Sequence, residues 1–253
     1  MVELRIREGI AGIFLNRPEK SNALGAALLE ELLLKLKQLE SSPGLRVVVL
    51  AGNGKSFCGG ADVDELSKLK KTTAKGFVEK IHACCEAIRS LPVPVIARLH
   101  GAVIGAGLEL AASCDLRVAA EGTRFAMPEV KLGIPSVIEA ALLPRLVGAG
   151  RAAWLVLTGD AIDARTALDW GLVEELAPLE ALDDRVGRLL ERLAAAEPAA
   201  LAAQKALLRL WQEAPLDEAL AASVTSFARS YASDTPNKLM RATISRGKGE
   251  KSD

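Results

Sequence analysis

Two glycine-rich segments each stand beside a carboxylate, and their residue types suit the stabilisation of a developing negative charge. The first, residues 55–63, reads Lys-Ser-Phe-Cys-Gly-Gly-Ala-Asp-Val, and the second, residues 100–110, ends in Gly-Leu-Glu-Leu. Glycine and alanine let a ligand approach the backbone closely, so N–H groups of both loops could converge on one oxygen atom. A third segment, residues 126–135, supplies a second glutamate. The leading interpretation is therefore an enzyme that stabilises an enolate.

The second segment is predicted to open a short buried helix after Gly105. The first N–H groups of a helix lack intrahelical partners, and the helix dipole adds partial positive charge there. Ala106 is placed to donate one N–H to a developing oxyanion, and Glu109 follows one turn later on the same face. A tightly packed helix with a capping glutamate is the competing interpretation. The motif taken alone favours that competing interpretation, because single glycine-rich motifs are weak signals.

The first segment is predicted to connect a buried strand to a helix. Asp62 suits the N-cap position, and the N–H of Ala61 could be the second donor of an oxyanion hole. A plain strand–helix turn explains this segment equally well. A phosphate-binding loop is excluded by spacing, because its first glycine would have to stand where Val49 is, and the dinucleotide-binding fingerprint fails on spacing as well.

Two further glutamates lie downstream of these segments. Glu129 follows Pro128 in a loop, where a lone glutamate is usually solvated. Glu139 lies ten residues later and could face the same site or cap a helix. The four cysteines and two histidines lack the spacing of metal ligands, so we expect no bound metal. A Gly-x-Ser-x-Gly signature of serine hydrolases is absent from the sequence.

Alternating strand and helix patterns over the first 150 or so residues predict an α/β core that positions these loops. Strands are predicted as a hairpin at residues 2–8 and 10–15, and at residues 46–52, 92–99 and 115–119. Helices are predicted at residues 24–39, 62–69, 73–91 and 105–113. The later part is rich in alanine and leucine and predicts helices at residues 160–170, 179–196, 198–211, 216–232 and 237–245. Residues 248–253 are predicted to form a frayed tail.

Composition narrows the class of protein. The 253-residue chain is half hydrophobic and has a formal net charge of zero, which argues against disorder and gives no global reason to bind nucleic acid or membranes. No apolar run is long enough to span a bilayer, and the N-terminus lacks the apolar region of a signal peptide. Adjacent Cys84 and Cys85 fit buried, reduced thiols. We therefore expect a cytoplasmic protein without a nucleic-acid or membrane partner.

At these residues the sequence strongly resembles the enoyl-CoA hydratase/isomerase (crotonase) superfamily over nearly its whole length. The matching motifs occur in the family's order at residues 15–24, 55–63, 101–115, 128–133, 157–160 and 170–173. The resemblance implies an α/β fold, a spiral of ββα units in residues 1–195, with a helical C-terminal trimerisation region in residues 196–253. It also implies a homotrimer or a dimer of trimers that acts on an acyl-CoA thioester. No separate cofactor is implied, because CoA is part of the substrate.

The resemblance also assigns roles to individual residues. The N–H groups of Ala61 and Ala106 match the two donors that hold the thioester oxygen, and Glu109 and Glu129 match the two glutamates that flank a water in hydratases. Residues that match contacts to the CoA part of the substrate are Lys55, Ala61, Asp62, Val63, Asp64 and Ala106.

Two departures from the family pattern concern the substrate. Asp64 stands where a lysine is common, and residues 135–141, Pro-Ser-Val-Ile-Glu-Ala-Ala, replace a Pro-Gly-Ala-Gly-Gly stretch. The second change remodels the acyl end of the site and brings Glu139 near it.

Having both Glu109 and Glu129 favours hydration of a 2-enoyl-CoA, whereas an isomerase of the family can work with the Glu129-type carboxylate alone. An enoyl-CoA isomerase and a CoA-binding protein with little catalysis are the alternatives, and the sequence leaves open which glutamate carries the proton.

Overall fold

Runs of β-branched and other apolar residues form two sheets in the computed structural model of the chain, which describes residues 1–249. The strands are β1 (Val2–Arg7), β2 (Ile10–Leu15), β3 (Val47–Gly52), β4 (Val95–Leu99), β5 (Ala102–Ile104), β6 (Leu116–Ala120), β7 (Arg124–Ala126), β8 (Ile162–Asp163) and β9 (Glu175–Ala177). The larger sheet has the order β1-β2-β3-β4-β6-β9 and is parallel apart from the β1–β2 hairpin. The smaller sheet has the order β5-β7-β8.

Helices follow the strands as the alternating pattern predicted. The α-helices are α1 (Ala26–Glu40), α2 (Val63–Leu66), α3 (Lys71–Ser90), α4 (Ala106–Ser113), α5 (Leu143–Val147), α6 (Ala149–Thr158), α7 (Ala164–Trp170), α8 (Leu182–Ala195), α9 (Pro198–Glu213), α10 (Leu216–Ser230) and α11 (Thr235–Gly249). Short 3-10 helices cover Pro18–Lys20, Pro128–Leu132, Ile138–Leu142 and Leu179–Ala181. The described chain divides into two compact units between Ala196 and Glu197, the first α/β and the second helical.

The central strands of the large sheet are buried on both faces, and alternation along them decides which side chains face which layer. Along β3, Val48 and Leu50 join the main core with α1 and α3, whereas Val47 and Val49 face α8 on the opposite side. Helix α1 buries its leucines at helical spacing, at positions 28, 29, 32, 36 and 39. This arrangement explains why β3 reads as a continuous apolar run without the alternation of a half-exposed strand.

Several boundaries differ from the predicted ones for local reasons. The helix predicted at residues 160–170 begins only at Ala164, because Ile162 and Asp163 pair with β7 and Asp163 caps the helix through the N–H of Thr166. The strand predicted at residues 92–99 begins at Val95, after the two prolines. The predicted frayed tail is wrong at residues 248 and 249, which continue α11, and its remainder lies outside the described residues.

Four free cysteines are buried, which confirms the predicted burial of Cys84 and Cys85. Among the residues that the structure describes, no helix combines the length and the hydrophobicity that crossing a bilayer requires.

The side chain of buried Asn22 forms hydrogen bonds that connect the loop after β2 to the segment leading into the first glycine-rich loop. Its backbone is left-handed, with φ of +56°, a conformation that asparagine tolerates. Its side-chain Nδ2 donates to the carbonyl oxygens of Asn53, Ser56 and Phe57 at 3.0, 2.8 and 3.1 Å. Its Oδ1 accepts a hydrogen bond of 2.8 Å from the N–H of Arg17. One side chain thus satisfies several buried backbone groups at the base of this loop.

We expect Asn22→Ala to lower the free energy of unfolding by about 2–4 kcal/mol, because it leaves buried carbonyl oxygens unpaired. Urea denaturation of the purified protein measures this loss. Asn16→Ala is the matched control, since Asn16 is exposed, and it should change stability by less than about 0.5 kcal/mol. Equal losses in the two variants would show that Asn22 has no special structural role.

Candidate functional site

The two glycine-rich loops are joined side by side by main-chain hydrogen bonds. The N–H of Phe57 donates to the carbonyl of His100 at 2.8 Å, and the N–H of Cys58 donates to the carbonyl of Ala102 at 3.0 Å. The N–H of Ile104 returns a bond of 3.0 Å to the carbonyl of Cys58. Because these bonds set a parallel register, the ends of the two loops emerge next to each other.

Glycine is required where the two loops come closest. Gly60 has φ of +99°, and a Cβ added to it would lie 2.8 Å from the carbonyl oxygen of Ile104 and 3.8 Å from the nitrogen of Ala106. Any larger residue at Gly60 would therefore push the loops apart. The peptide that links Gly60 to Ala61 consequently lies beside the first peptide of α4.

The N–H groups of Ala61 and Ala106 are both available to a ligand. Within residues 1–249, neither group donates a hydrogen bond to another part of the chain. Ala106 is the first residue of α4, where the helix dipole adds partial positive charge. The structure thus places the backbones of Ala61 and Ala106 near each other, and their role as donors to a negatively charged oxygen stays a prediction.

Asp62 fixes the end of the first loop. Its carboxylate caps α2 by accepting from the N–H groups of Asp64 and Glu65 at 2.9 and 3.3 Å, as predicted for an N-cap. Arg17 pairs with it at 2.6 Å. Burial alone would raise the pKa of Asp62, but the Arg17 guanidinium and the two N–H groups outweigh it and lower the pKa. The side chain is thereby occupied within the fold, and its contact with CoA stays a prediction.

The other residues predicted to contact CoA lie near the surface. Lys55 and Asp64 are exposed, and the Val63 side chain is 60% exposed. Asp64 pairs with Lys20 at 2.7 Å, so a cation lies beside this position although the family's lysine is absent from it. Sequence reasoning did not anticipate Lys20, because nothing in the spacing of residues 20 and 64 links them.

Glu109 is buried in α4, with only 5% of the residue exposed. Its Oε1 accepts a hydrogen bond of 3.1 Å from the N–H of Ala140. Burial raises the pKa of Glu109 to about 8; the Ala140 N–H opposes this shift, while the carboxylates of Glu129 and Glu139 add to it. Burial therefore favours the protonated form of Glu109.

Glu129 lies against the start of α4 from the other side. It belongs to the 3-10 helix Pro128–Leu132, and its Oε1 comes so close to Gly105 that a Cβ there would lie 2.3 Å away. Gly105 has φ of +52° and no side chain to obstruct this approach. The hydroxyl of Ser136 donates to Glu129 Oε2 at 2.9 Å. Sequence reasoning missed this role of Ser136, although it did single out the segment that contains it.

Glu139 joins the same cluster of carboxylates, which was one of the two alternatives that the sequence left open. It lies in the 3-10 helix Ile138–Leu142, is 4% exposed, and places Oε1 2.7 Å from Nδ1 of His82 on α3. The other oxygen, Oε2, is buried without a hydrogen-bond partner in the described structure. Across residues 1–249, no three His, Cys, Asp or Glu side chains form a group that could hold a metal ion.

This arrangement combines two open backbone donors with a buried carboxyl group, that of Glu109, and a hydrogen-bonded one, that of Glu129. Such a set can stabilise negative charge on one oxygen while protons move on and off neighbouring atoms. The groups that sequence reasoning proposed for this purpose, Ala61, Ala106, Glu109 and Glu129, all lie around the start of α4.

Comparison with known proteins shows which family this chain resembles. The family model for enoyl-CoA hydratase/isomerase matches residues 5–248. YngF of Bacillus subtilis, whose name assigns it to the same group, is 36% identical over 236 residues, covering 92% of this chain and 89% of YngF. The crotonyl-CoA hydratase of Syntrophomonas wolfei is 32% identical over 247 residues, covering 97% and 95% of the two chains.

Solved structures agree with the sequence comparison. An enoyl-CoA hydratase from Mycobacterium smegmatis superposes with a TM-score of 0.93 at 32% identity, covering 97% of this chain and 96% of that one. These likenesses confirm the predicted crotonase-like α/β fold with a helical C-terminal region.

The burial of Glu109 should make the free energy of unfolding depend on pH. Its pKa is about 8 in the folded chain, against 4.5 when unperturbed, so stability falls as the pH rises from 4.5 to 8 and the buried group ionises. We expect Glu109→Gln, which cannot ionise, to be more stable than the natural protein by about 4 kcal/mol at pH 8 and by little at pH 4.5. Denaturation at both pH values measures the difference. The exposed control Glu121→Gln should show none of this pH dependence, and an unchanged pH dependence in Glu109→Gln would refute the link.

Proposed function

The chain belongs to the enoyl-CoA hydratase/isomerase family, and from this premise we propose that it adds water across the C2=C3 bond of a 2-enoyl-CoA thioester. The observation that carries the proposal is the meeting of two unpaired N–H groups with two glutamates around the start of α4. The buried Glu109, whose pKa is raised to about 8 by burial, supports acid–base catalysis over simple binding of CoA.

The backbone donors act on the thioester carbonyl. In the proposed complex, the N–H groups of Ala61 and Ala106 bind the carbonyl oxygen and draw electron density from the conjugated double bond. C3 becomes electrophilic, and the oxygen gains negative charge as the reaction proceeds. Removing one such donor from an oxyanion hole typically costs about 3–4 kcal/mol of transition-state stabilisation. The donors are rigid because main-chain bonds fix both loops.

The glutamates divide the proton transfers between them. Glu129, which accepts a hydrogen bond from Ser136, takes a proton from water as the water oxygen forms its bond to C3. Glu109, which is protonated at neutral pH, donates its proton to C2. The two carboxyl groups exchange protonation states during the addition, so a proton must return to Glu109 before the next turnover. Two neighbouring carboxyl groups share one proton readily because ionising both is costly.

The CoA part of the substrate is proposed to contact Lys55, the segment from Ala61 to Asp64, and Ala106. Lys55 supplies a cation for the phosphates, with no cofactor beyond the substrate's own CoA. The loop that carries Lys55 is held by His100, whose Nε2 lies 3.0 Å from the carbonyl oxygen of Gly54. The support for this assignment is the exposure of Lys55 and Val63 next to the open N–H of Ala61.

We expect the protein to bleach the absorbance of the conjugated enoyl thioester when it is given crotonyl-CoA. Glu109→Gln and Glu129→Gln should each lower kcat by about 10²–10⁴-fold, because each removes one proton transfer. Binding of a saturated acyl-CoA should change little in either variant, and the exposed control Glu180→Gln should keep full activity.

Each failure of this assay has a distinct meaning. Full hydration activity in either glutamate variant would disprove the two-glutamate mechanism. Turnover of 3-enoyl-CoA alone would identify an isomerase, in which Glu129 moves one proton between C2 and C4. Binding of acyl-CoA without turnover of either substrate would identify a CoA-binding protein.

We further propose that the helical C-terminal unit joins copies of this chain into a trimer or a dimer of trimers. Helix α10 carries an exposed apolar stripe at helical spacing, whose first four members, at 58–75% exposure, are Leu216, Leu220, Val224 and Phe227. Tyr231 continues it and packs against Phe227 with the two rings tilted. A contiguous apolar stripe of this kind is typical of a protein–protein interface, and identical chains are the partners that the family resemblance implies.

We expect light scattering after size-exclusion chromatography to give the mass of a trimer or hexamer. Val224→Glu should shift the protein towards the monomer, because it buries a charge in the proposed interface. Thr225→Glu is the matched control, since Thr225 is exposed on the opposite side of α10 from the stripe. A monomeric natural protein, or identical masses for both variants, would exclude this interface.

A further inference from the structure

Two residues of the second glycine-rich segment, His100 and Gly101, contact consecutive carbonyl groups of the first segment and of the residue before it. Nε2 of His100 lies 3.0 Å from the carbonyl oxygen of Gly54. A Cβ added to Gly101, whose φ is +61°, would lie 2.0 Å from the carbonyl oxygen of Lys55, so this glycine packs directly on that peptide. The two peptide groups on either side of the Lys55 Cα are therefore both in contact with residues 100 and 101.

Holding these two peptide groups sets the direction in which the Lys55 side chain leaves the backbone. Each peptide group is planar, so fixing both planes leaves little freedom in φ and ψ of the residue between them. Gly54 and Lys55 are exposed, and Gly54 has a left-handed φ of +84°. The side chain of Asn22 binds the carbonyl oxygens of Asn53 and Ser56, which flank this turn. The imidazole bond is the side-chain contact that holds its centre.

The hydrogen-bond partners of His100 determine which ring nitrogen carries the proton. A carbonyl oxygen can only accept, so Nε2 must donate to Gly54. Nη1 of Arg98 lies 3.0 Å from Nδ1, and a guanidinium can only donate, so Nδ1 must accept. His100 is therefore a neutral imidazole with its proton on Nε2, and Arg98 selects the tautomer that can bind the turn.

Arg98 is itself oriented by helix α8. Ile96 of β4 packs in the core beneath α8, and Arg98, two residues later, lies on the same face of the sheet. Nε of Arg98 donates to Oδ1 of Asp183 on α8, and the Arg98 side chain is only 16% exposed. A continuous series of hydrogen bonds thus runs from Asp183 through Arg98 and His100 to the turn that carries Lys55.

The surroundings of His100 agree with a neutral ring. Burial is the largest cause that lowers its pKa, and the charge of Arg98 adds to this shift, whereas the Gly54 carbonyl and Asp183 oppose it. A protonated ring would lose the lone pair that accepts from Arg98 and would place two cations in contact.

We propose that His100, in the tautomer set by Arg98, is a positioning residue that orients Lys55 towards the anionic part of the CoA substrate. This inference rests on the proposed function, in which Lys55 supplies a cation for the CoA phosphates. His100 contacts no substrate atom and acts only through the turn at Gly54 and Lys55. The oxyanion-hole loops are joined by main-chain bonds, so a change of the His100 side chain leaves them in place.

Asparagine and glutamine separate the two hydrogen bonds of the His100 ring. The amide nitrogen of Gln can take the place of Nε2 and donate to Gly54, whereas the shorter Asn reaches only the position of Nδ1. His100→Asn should raise the KM for crotonyl-CoA by roughly tenfold with little change in kcat, because it loses the bond to the turn. His100→Gln keeps this bond and should retain most of the natural KM.

A second thioester distinguishes positioning of Lys55 from a merely structural role. Crotonyl-pantetheine lacks the phosphates of CoA, and the natural protein and both His100 variants should hydrate it equally well. Lys55→Met should reproduce the effect of His100→Asn on crotonyl-CoA. The double variant should lose no more than Lys55→Met alone, since His100 acts only through Lys55. Equal losses with both thioesters in His100→Asn would overturn the role of His100.

Two measurements that need no turnover separate this inference from the proposed hydration. In calorimetry, the natural protein and His100→Gln should bind CoA more tightly than pantetheine, and His100→Asn should lose much of this preference. The chain has two histidines, so 15N spectra of His82→Gln identify the His100 ring, which should be the neutral Nε2–H tautomer at neutral pH. An Nδ1–H or charged ring, or no preference for CoA in the natural protein, would overturn the proposal. If the natural protein hydrates no enoyl-CoA but shows this preference and its loss, the proposed hydration fails while the role of His100 stands.

Discussion

The parallel main-chain pairing of Cys58 with the segment around Val103 is the constraint on which the rest of the site depends. Its hydrogen bonds involve only backbone atoms, and they set the register of two loops that are far apart in the sequence. The register places Gly60 against Ala106, so the peptide that leads into Ala61 lies beside the start of α4. It also orients α4, and Glu109 on this helix and Glu129 beside its start are positioned relative to those donors.

The second constraint on the site is the energetic cost of burying the carboxyl group of Glu109. Moving an ionised carboxylate out of water is costly unless it is paired, so a buried carboxyl group without a cation keeps its proton. Glu109 follows this rule, since the groups acting on it are an N–H donor and two other carboxylates. The segment after Pro135 contributes to this environment through the Ala140 N–H and the Glu139 carboxyl group.

Much of this fold and of the candidate site could be predicted from the sequence. Apolar runs and helical spacing located β3, α1, α3 and α4, because burial decides both the pattern and the structure. The pairing of Ala61 with Ala106 followed from two motifs that were ambiguous separately. The contact between His82 and Glu139 could not be predicted, because it joins residues 57 positions apart through the packing of α3 on a 3-10 helix. The short strand β8 was missed for a similar reason, since two residues carry no periodicity.

In the proposed reaction, backbone N–H groups stabilise the negative charge on the thioester oxygen, whereas side-chain carboxyl groups transfer the protons. The oxyanion donors are main-chain atoms, and their geometry depends on glycines and on hydrogen bonds that most side-chain changes leave intact. The proposed proton-transferring groups, in contrast, depend on one segment, in which the Ser136 hydroxyl contacts Glu129, the Ala140 N–H contacts Glu109, and Glu139 contacts α3. Residues 136–140, within a stretch that differs from the family's usual sequence, therefore provide the surroundings of the two proposed proton-transferring groups.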